Sequence, residues 1–153
     1  MSSAGVFDAV SVGDELPSLV TRLGEVQLFS FSAATFNPHR IHYDRTWATE
    51  QEHYRDLVVQ GPLQQALMVK VVTDWAGPEG RLTRVAMQSR GTAFVHDELK
   101  FTAQVTGKRV QRDLGIVELV LAVSNVTAGG VVIVPGTATL ALPRGKADCR
   151  GDV

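Results

Sequence analysis

From Phe31 to Asp44 the chain runs Phe-Ser-Ala-Ala-Thr-Phe-Asn-Pro-His-Arg-Ile-His-Tyr-Asp, and between Asn37 and Tyr43 it carries an amide, two imidazoles, an arginine and a phenol. No other part of the sequence is as dense in groups that can move a proton or hold a polar substrate. Histidine titrates near neutral pH, so His39 and His42 are the first candidates for proton transfer. Asn37 can orient a water or a carbonyl through hydrogen bonds, but an amide cannot take up a proton. Arg40 has a planar fork suited to a phosphate or a carboxylate. Each residue also has a plainer role open to it. Asn37-Pro38 is a common turn start, His39 can serve as a loop cap, Tyr43 suits packing, and Asp44 suits the N-cap of a short helix through Trp47 and Ala48. His53 and His96 stand in no motif and read as structural.

A second group follows at Gln60-Gly61-Pro62. Proline favours the first turn of a helix, where its missing N–H is not needed. Gly61-Pro62 therefore reads first as a helix-start signal, with the Gly61 amide among the donors that a helix N-terminus leaves free. Gln60 is the polar side chain beside it.

Residues 15–32 read as extended, with Gly24 near a bend. After Pro62 the spacing of Leu63, Leu67, Val71 and Trp75, widened by Met68 and Val72, predicts a helix that Gly77-Pro78 stops and that other structure nearly envelops. The period then changes to two. Leu99, Phe101, Ala103 and Val105 form one alternating run, and Val117, Leu119, Leu121 and Val123 another. Gly129-Gly130 reads as a hairpin turn. The last run puts Val132, Val134, Gly136, Ala138, Leu140 and Leu142 on one face, with Pro135 expected at a bulge or an edge. One apolar helix followed by an antiparallel meander gives an α+β fold. Met87 and Phe94 read as sheet packing, and Arg90 in Ser89-Arg90-Gly91 as a solvated turn residue. Lys108, Arg109 and Arg112 read as a solvated loop, with a phosphate contact as the other use.

The 153 residues suit a single domain over residues 1–153, with a core from about 11 to 142 and loose ends at residues 1–10 and beyond Pro143. Apolar residues make up 44% and charged residues 20%, an ordinary globular balance. The net charge of −1 argues against nucleic acid or an anionic membrane as partner. Cys149 is the one cysteine, so no internal disulfide forms, and no Cys/His spacing suggests a metal. No apolar stretch is long enough for a membrane span, and no secretory leader is expected, so a cytoplasmic protein is anticipated.

The run Thr35-Phe36-Asn37-Pro38-His39-Arg40-Ile41-His42-Tyr43-Asp44, with the later Gly61-Pro62-Leu63, resembles the hydratase motif of the MaoC-like (R)-specific enoyl-CoA hydratases. It is more similar still to the branch that holds the mesaconyl-C4-CoA hydratases and the mitochondrial hydroxyacyl-thioester dehydratases type 2. Weaker matches at Val12-Gly13-Asp14 and Gly136-Thr137-Ala138 extend the resemblance over much of the chain. It implies a hot-dog fold, a long curved antiparallel sheet wrapped around a central helix. It also implies a hydro-lyase that interconverts a trans-2-enoyl thioester and its (3R)-hydroxyacyl thioester, with coenzyme A or acyl carrier protein as part of the substrate and no other cofactor. The catalytic roles fall on His42, Asn37 and Gly61, and substrate contacts on His39, Arg40 and Gln60.

The sequence departs from the wider family at two positions. The family's catalytic aspartate aligns with Asn37, and a histidine that often precedes the glycine is replaced by Gln60. The first departure keeps open a catalytically silent subunit of a heteromeric hydratase. A thioesterase of the same fold is a further alternative, though no acidic residue stands beside Gly61. The resembled enzymes join two hot dogs through their sheets, so a homodimer is expected, or a heteromer with another hot-dog chain.

Overall fold

The computed structural model describes residues 7–145. Five strands form one antiparallel sheet: β1 (Leu19–Arg22), β2 (Arg81–Met87), β3 (Glu98–Gln111), β4 (Leu114–Asn125) and β5 (Val131–Pro143), in the spatial order β1-β3-β4-β5-β2. Two α-helices accompany it among the described residues, α1 (Glu25–Ala34) and α2 (Gly61–Ala76). The long strands β3, β4 and β5 make the meander that the alternating runs predict. Leu99, Phe101, Ala103 and Val105 of β3 and Val117, Leu119, Leu121 and Val123 of β4 all point into the core. Burial of each large apolar side chain of this kind is worth about 1.5–3 kcal/mol. Gly129 and Gly130 turn the chain from β4 to β5, both at positive φ, which only glycine adopts without strain. The sheet curls around α2 in the hot-dog arrangement.

Several expectations need correction. Residues 25–34 are helical, not extended. Their apolar residues alternate in the way a strand's would, but the local chemistry favours a helix start. Gln27 Oε1 accepts the Gly24 N–H at 2.7 Å, and Glu25 puts negative charge in the first turn. Leu28 and Ser32, four residues apart, face inward, while Val26 and Phe29 remain exposed.

Helix α2 begins and ends where expected, but it is not enveloped. Its buried stripe is Gln64, Met68, Val71, Val72 and Ala76, and Leu63, Leu67 and Trp75 are only half-buried. The sheet covers one side of the helix and leaves the other open.

In β5 the inward alternation starts one position later than expected. The register slips between Val123 and Ser124 of the neighbouring strand, which makes Ile133 an extra residue. Ile133 is therefore buried and Val132 exposed. The bulge lies two residues before Pro135, and β5 is an inner strand, not an edge.

The leading segment is not loose throughout. Phe7 and Val10 are buried, and a Cβ on Gly115 would overlap the Phe7 ring. Lys108 Nζ donates to the Val10 carbonyl at 2.5 Å and lies 4.3 Å from the centre of that ring. Arg109 pairs with Glu118. Both cations thus have partners within the chain.

At the other end Pro143 still pairs with Leu114, and the Gly145 N–H donates to Asp8 Oδ2. Cys149 and the rest of the tail lie outside the described residues. Among the described residues no helix is long and apolar enough to cross a membrane, and no cluster of metal-ligating side chains occurs.

Candidate active site

The segment after α1 is shaped by how that helix ends. Asn37 N donates to the Ser32 carbonyl at 2.9 Å and Phe36 stands at φ +52°, the left-handed closure normally given to glycine. That turn reverses the chain and delivers Asn37, His39 and His42 to one region. Asn37 Oδ1 accepts the His39 N–H at 3.1 Å, so its amide nitrogen is the part left for other work. The imidazole of His39 is exposed, with its ring centre 5.8 Å from that of His42. A single 3-10 turn, Arg40–His42, buries Ile41 and His42 together.

His42 is 8% exposed. Its Nδ1 lies 2.8 Å from the carbonyl oxygen of Val58. A carbonyl only accepts, so Nδ1 carries the proton and Nε2 of the neutral ring keeps its lone pair. Burial pushes the His42 pKa below the ordinary 6.5, and the Val58 carbonyl opposes that in part. The neighbouring His39 adds to the depression. Burial therefore favours the neutral ring, with Nδ1 engaged by Val58 and Nε2 left without a partner among the described residues.

The Val58 carbonyl stands three residues before Gly61, and its segment is firmly held. Val58 N donates to the Ile41 carbonyl and Val59 N to that of Ala93, both at 2.9 Å. The histidine and the start of α2 are therefore built on one short connection. Gly61 is the first residue of α2, so its N–H has no acceptor within the helix, where bonding begins with Gln64 N to the Gln60 carbonyl. A Cβ on Gly61 would lie 3.0 Å from Ser89 Oγ. This second polar group at the helix start was not expected from the sequence. Ser89 was read only as part of a turn, and nothing local in it signals contact with a residue so far back in the chain.

The remaining expected residues are placed as follows. Gln60 is fully enclosed. Its Nε2 donates to the Leu28 carbonyl at 2.7 Å and to Ser32 Oγ at 2.9 Å, and its Oε1 has no partner. It ties α1 to the head of α2 and offers no atom to the surface. Arg40 lies 4.1 Å over the Trp47 ring and makes a double contact with Asp44, at 2.6 and 3.0 Å. Asp44 also accepts the Trp47 N–H, which is the capping role expected of it. Tyr43 braces the loop, with its hydroxyl donating to the Pro38 carbonyl at 2.7 Å and its ring packed edge-on to Phe29. His96 pairs with Glu25, and His53 is exposed. Neither belongs to the cluster.

Asn37 opens onto a groove of about 340 Å³ lined by Phe29, Ser32, Phe36, Pro38 and Tyr43. These walls are largely apolar, as an acyl chain would require. Asn37 lines this groove, whereas His42 and Gly61 do not, and are tied to each other through the Val58–Gly61 connection.

Comparison with known proteins gives the family and the fold. A model of the family described as hydroxyacyl-thioester dehydratase type 2 matches residues 14–95. Mesaconyl-C(4)-CoA hydratase of Chloroflexus aurantiacus is 57% identical over 44 residues, which are 29% of this chain and 16% of that protein. The mitochondrial hydroxyacyl-thioester dehydratase type 2 of Schizosaccharomyces pombe is 31% identical over 83 residues, 54% of this chain and 28% of that one. The chain therefore spans less than a third of the length of these two relatives. The 3-oxo-4,17-pregnadiene-20-carboxyl-CoA hydratase beta subunit of Mycobacterium tuberculosis is 28% identical over 95 residues, 62% of this chain and 73% of that one. Among solved structures, the (R)-hydratase from A. caviae superposes with a TM-score of 0.77 at 23% identity, over 88% of this chain and 98% of that one, a likeness of fold.

Proposed function

The chain belongs to the hydroxyacyl-thioester dehydratase type 2 family, and on that premise we propose that it adds water to a trans-2-enoyl-CoA and, in reverse, dehydrates the 3-hydroxyacyl-CoA. The observation that supports this most directly is the His42 ring. Its Nδ1 is committed to the Val58 carbonyl, three residues before the free amide of Gly61, so Nε2 is the base and the donor to the thioester oxygen stands on the same segment.

The thioester oxygen binds at the Gly61 N–H, and a water lies between His42 and Asn37. His42 Nε2 takes one water proton as the oxygen attacks the β-carbon. The electron pair of the double bond moves onto the thioester oxygen as an enolate, which the Gly61 amide and the α2 dipole stabilise. The α-carbon then receives the proton from His42, and no redox or metal cofactor enters this cycle. Asn37 holds the water without exchanging protons, which leaves all acid–base work to His42. The Phe29–Tyr43 trough receives the acyl chain. Arg40 retains a role only toward an exposed phosphate or carboxylate, in exchange with Asp44.

A second hot dog, from another copy or a different chain, completes the acyl site. The similarity to a beta subunit favours the heteromer as a second reading, in which this chain depends on a partner for turnover.

The test is hydration of short, branched, dicarboxylic and long trans-2-enoyl-CoA thioesters by the purified chain and by His42→Ala. Turnover of one class by the wild type and its loss in the variant, with folding intact, supports the reading. Undiminished activity in the variant refutes His42 as the base. An inactive wild type directs attention to the heteromer.

A further inference from the structure

We propose that the hydroxyl of Ser89 is a second donor to the thioester oxygen, acting beside the Gly61 amide; this rests on the hydratase reading above. Ser89 Oγ lies 3.0 Å from where a Gly61 Cβ would be, so the hydroxyl occupies the space that glycine leaves open at the first residue of α2. The absence of a side chain at residue 61 lets hydroxyl and backbone amide stand together. An alanine there would force the hydroxyl outward by a few tenths of an ångström.

The position of Ser89 is set by the sheet. It lies in the link between β2 and β3, and the bonds on both sides of it end on β5. Gln88 N donates to the Pro135 carbonyl at 3.1 Å, Arg90 N to the Ile133 carbonyl at 2.8 Å and Gly91 N to the same oxygen at 3.2 Å. Ile133 is the extra residue of the β5 bulge, whose local kink turns its carbonyl to this link. A Cβ on Gly91 would come within 2.7 Å of the Ile133 side chain, so the link can sit this close only with glycine at 91. A donor fixed in this way needs little reorganisation when charge develops on the substrate oxygen, the condition under which such groups are most effective. Ser89 is also exposed, and therefore reachable by a ligand entering at the head of α2.

The experiment compares the wild type with Ser89→Ala on the enoyl-CoA that the wild type turns over best. Loss of one oxyanion donor lowers kcat by about a hundredfold while KM moves by about threefold or less. A second measurement separates donation from packing. The infrared carbonyl stretch of a bound saturated acyl-CoA, isotope-edited at the thioester carbon, moves to higher frequency in Ser89→Ala than in the wild type. Wild-type kcat and an unmoved carbonyl band in Ser89→Ala overturn the proposal and leave the hydratase reading standing. A wild type inactive on every thioester, alone and with added partner chains, overturns both.

Discussion

Replacing Gln60 separates a structural clamp from a substrate contact. Its Nε2 makes two buried hydrogen bonds, to Leu28 O and Ser32 Oγ, while its Oε1 is buried without a partner. Gln60→Ala removes both bonds, at about 0.5–1.5 kcal/mol each. It also opens a cavity at a site with no solvent access, which for a side chain of this size costs about 2–5 kcal/mol. Against these losses, removing the unpartnered oxygen returns about 1–3 kcal/mol. The expected net loss is about 3 kcal/mol, a large part of the stability of an ordinary domain. Gln60→Leu keeps the volume, so the lost bonds and the removed orphan nearly cancel, and stability stays within about 1 kcal/mol of wild type. Urea melts of the three proteins measure this directly. Equal destabilisation by alanine and leucine would show that the amide bonds, not the filled volume, hold α1 to α2. Hydration kinetics on the same samples complete the test. Because Gln60 has no exposed atom, Gln60→Leu retains kcat/KM within about threefold, a difference below 1 kcal/mol. A folded Gln60→Leu whose KM rises by about tenfold or more would place the amide against substrate after all.

The pH dependence follows from His42. Its pKa in the folded chain is below 6.5, with burial as the main cause. Hydration needs the neutral ring, so kcat/KM holds constant through neutrality and falls only on an acid limb centred below 6.5; a midpoint at or above 6.5 would contradict the burial argument. The unfolded chain binds this proton more readily, so the same group's contribution to stability is present above pH 6.5 and lost as pH falls through the folded pKa, which chemical melts across that range will show and His42→Gln will diminish. At Phe36, the left-handed backbone carries an exposed phenylalanine. Phe36→Gly relieves about 1 kcal/mol of strain, partly offset by glycine's freedom in the unfolded chain, and leaves the melting temperature unchanged or raised, whereas a β-branched Phe36→Val lowers it.

Much of this architecture was legible in the residues alone. The start of α2 at Gly61-Pro62, the Asp44 cap and the inward faces of β3 and β4 depend on local rules of propensity, capping and alternation, which act over a few residues. The cluster from Asn37 to His42 was legible for the same reason, since its members are near neighbours in the chain. Helix α1 was misread because its apolar residues alternate as in a strand, and the side chain that decides the matter, Gln27 at Gly24, is a capping contact that hydrophobic pattern does not weigh.

Tertiary structure decided the rest. Only the packed chain sets the His42 ring against the Val58 carbonyl and so determines which nitrogen is free. It alone encloses Gln60, makes Ile133 a bulge and brings Ser89 to Gly61. These outcomes depend on pairings between residues distant in sequence, made when sheet register and core packing are satisfied together. A one-residue shift in register would reverse the faces of a strand and undo them. The kinds of chemistry available were written in the order of the residues, and the direction in which each group points was decided by what it packs against.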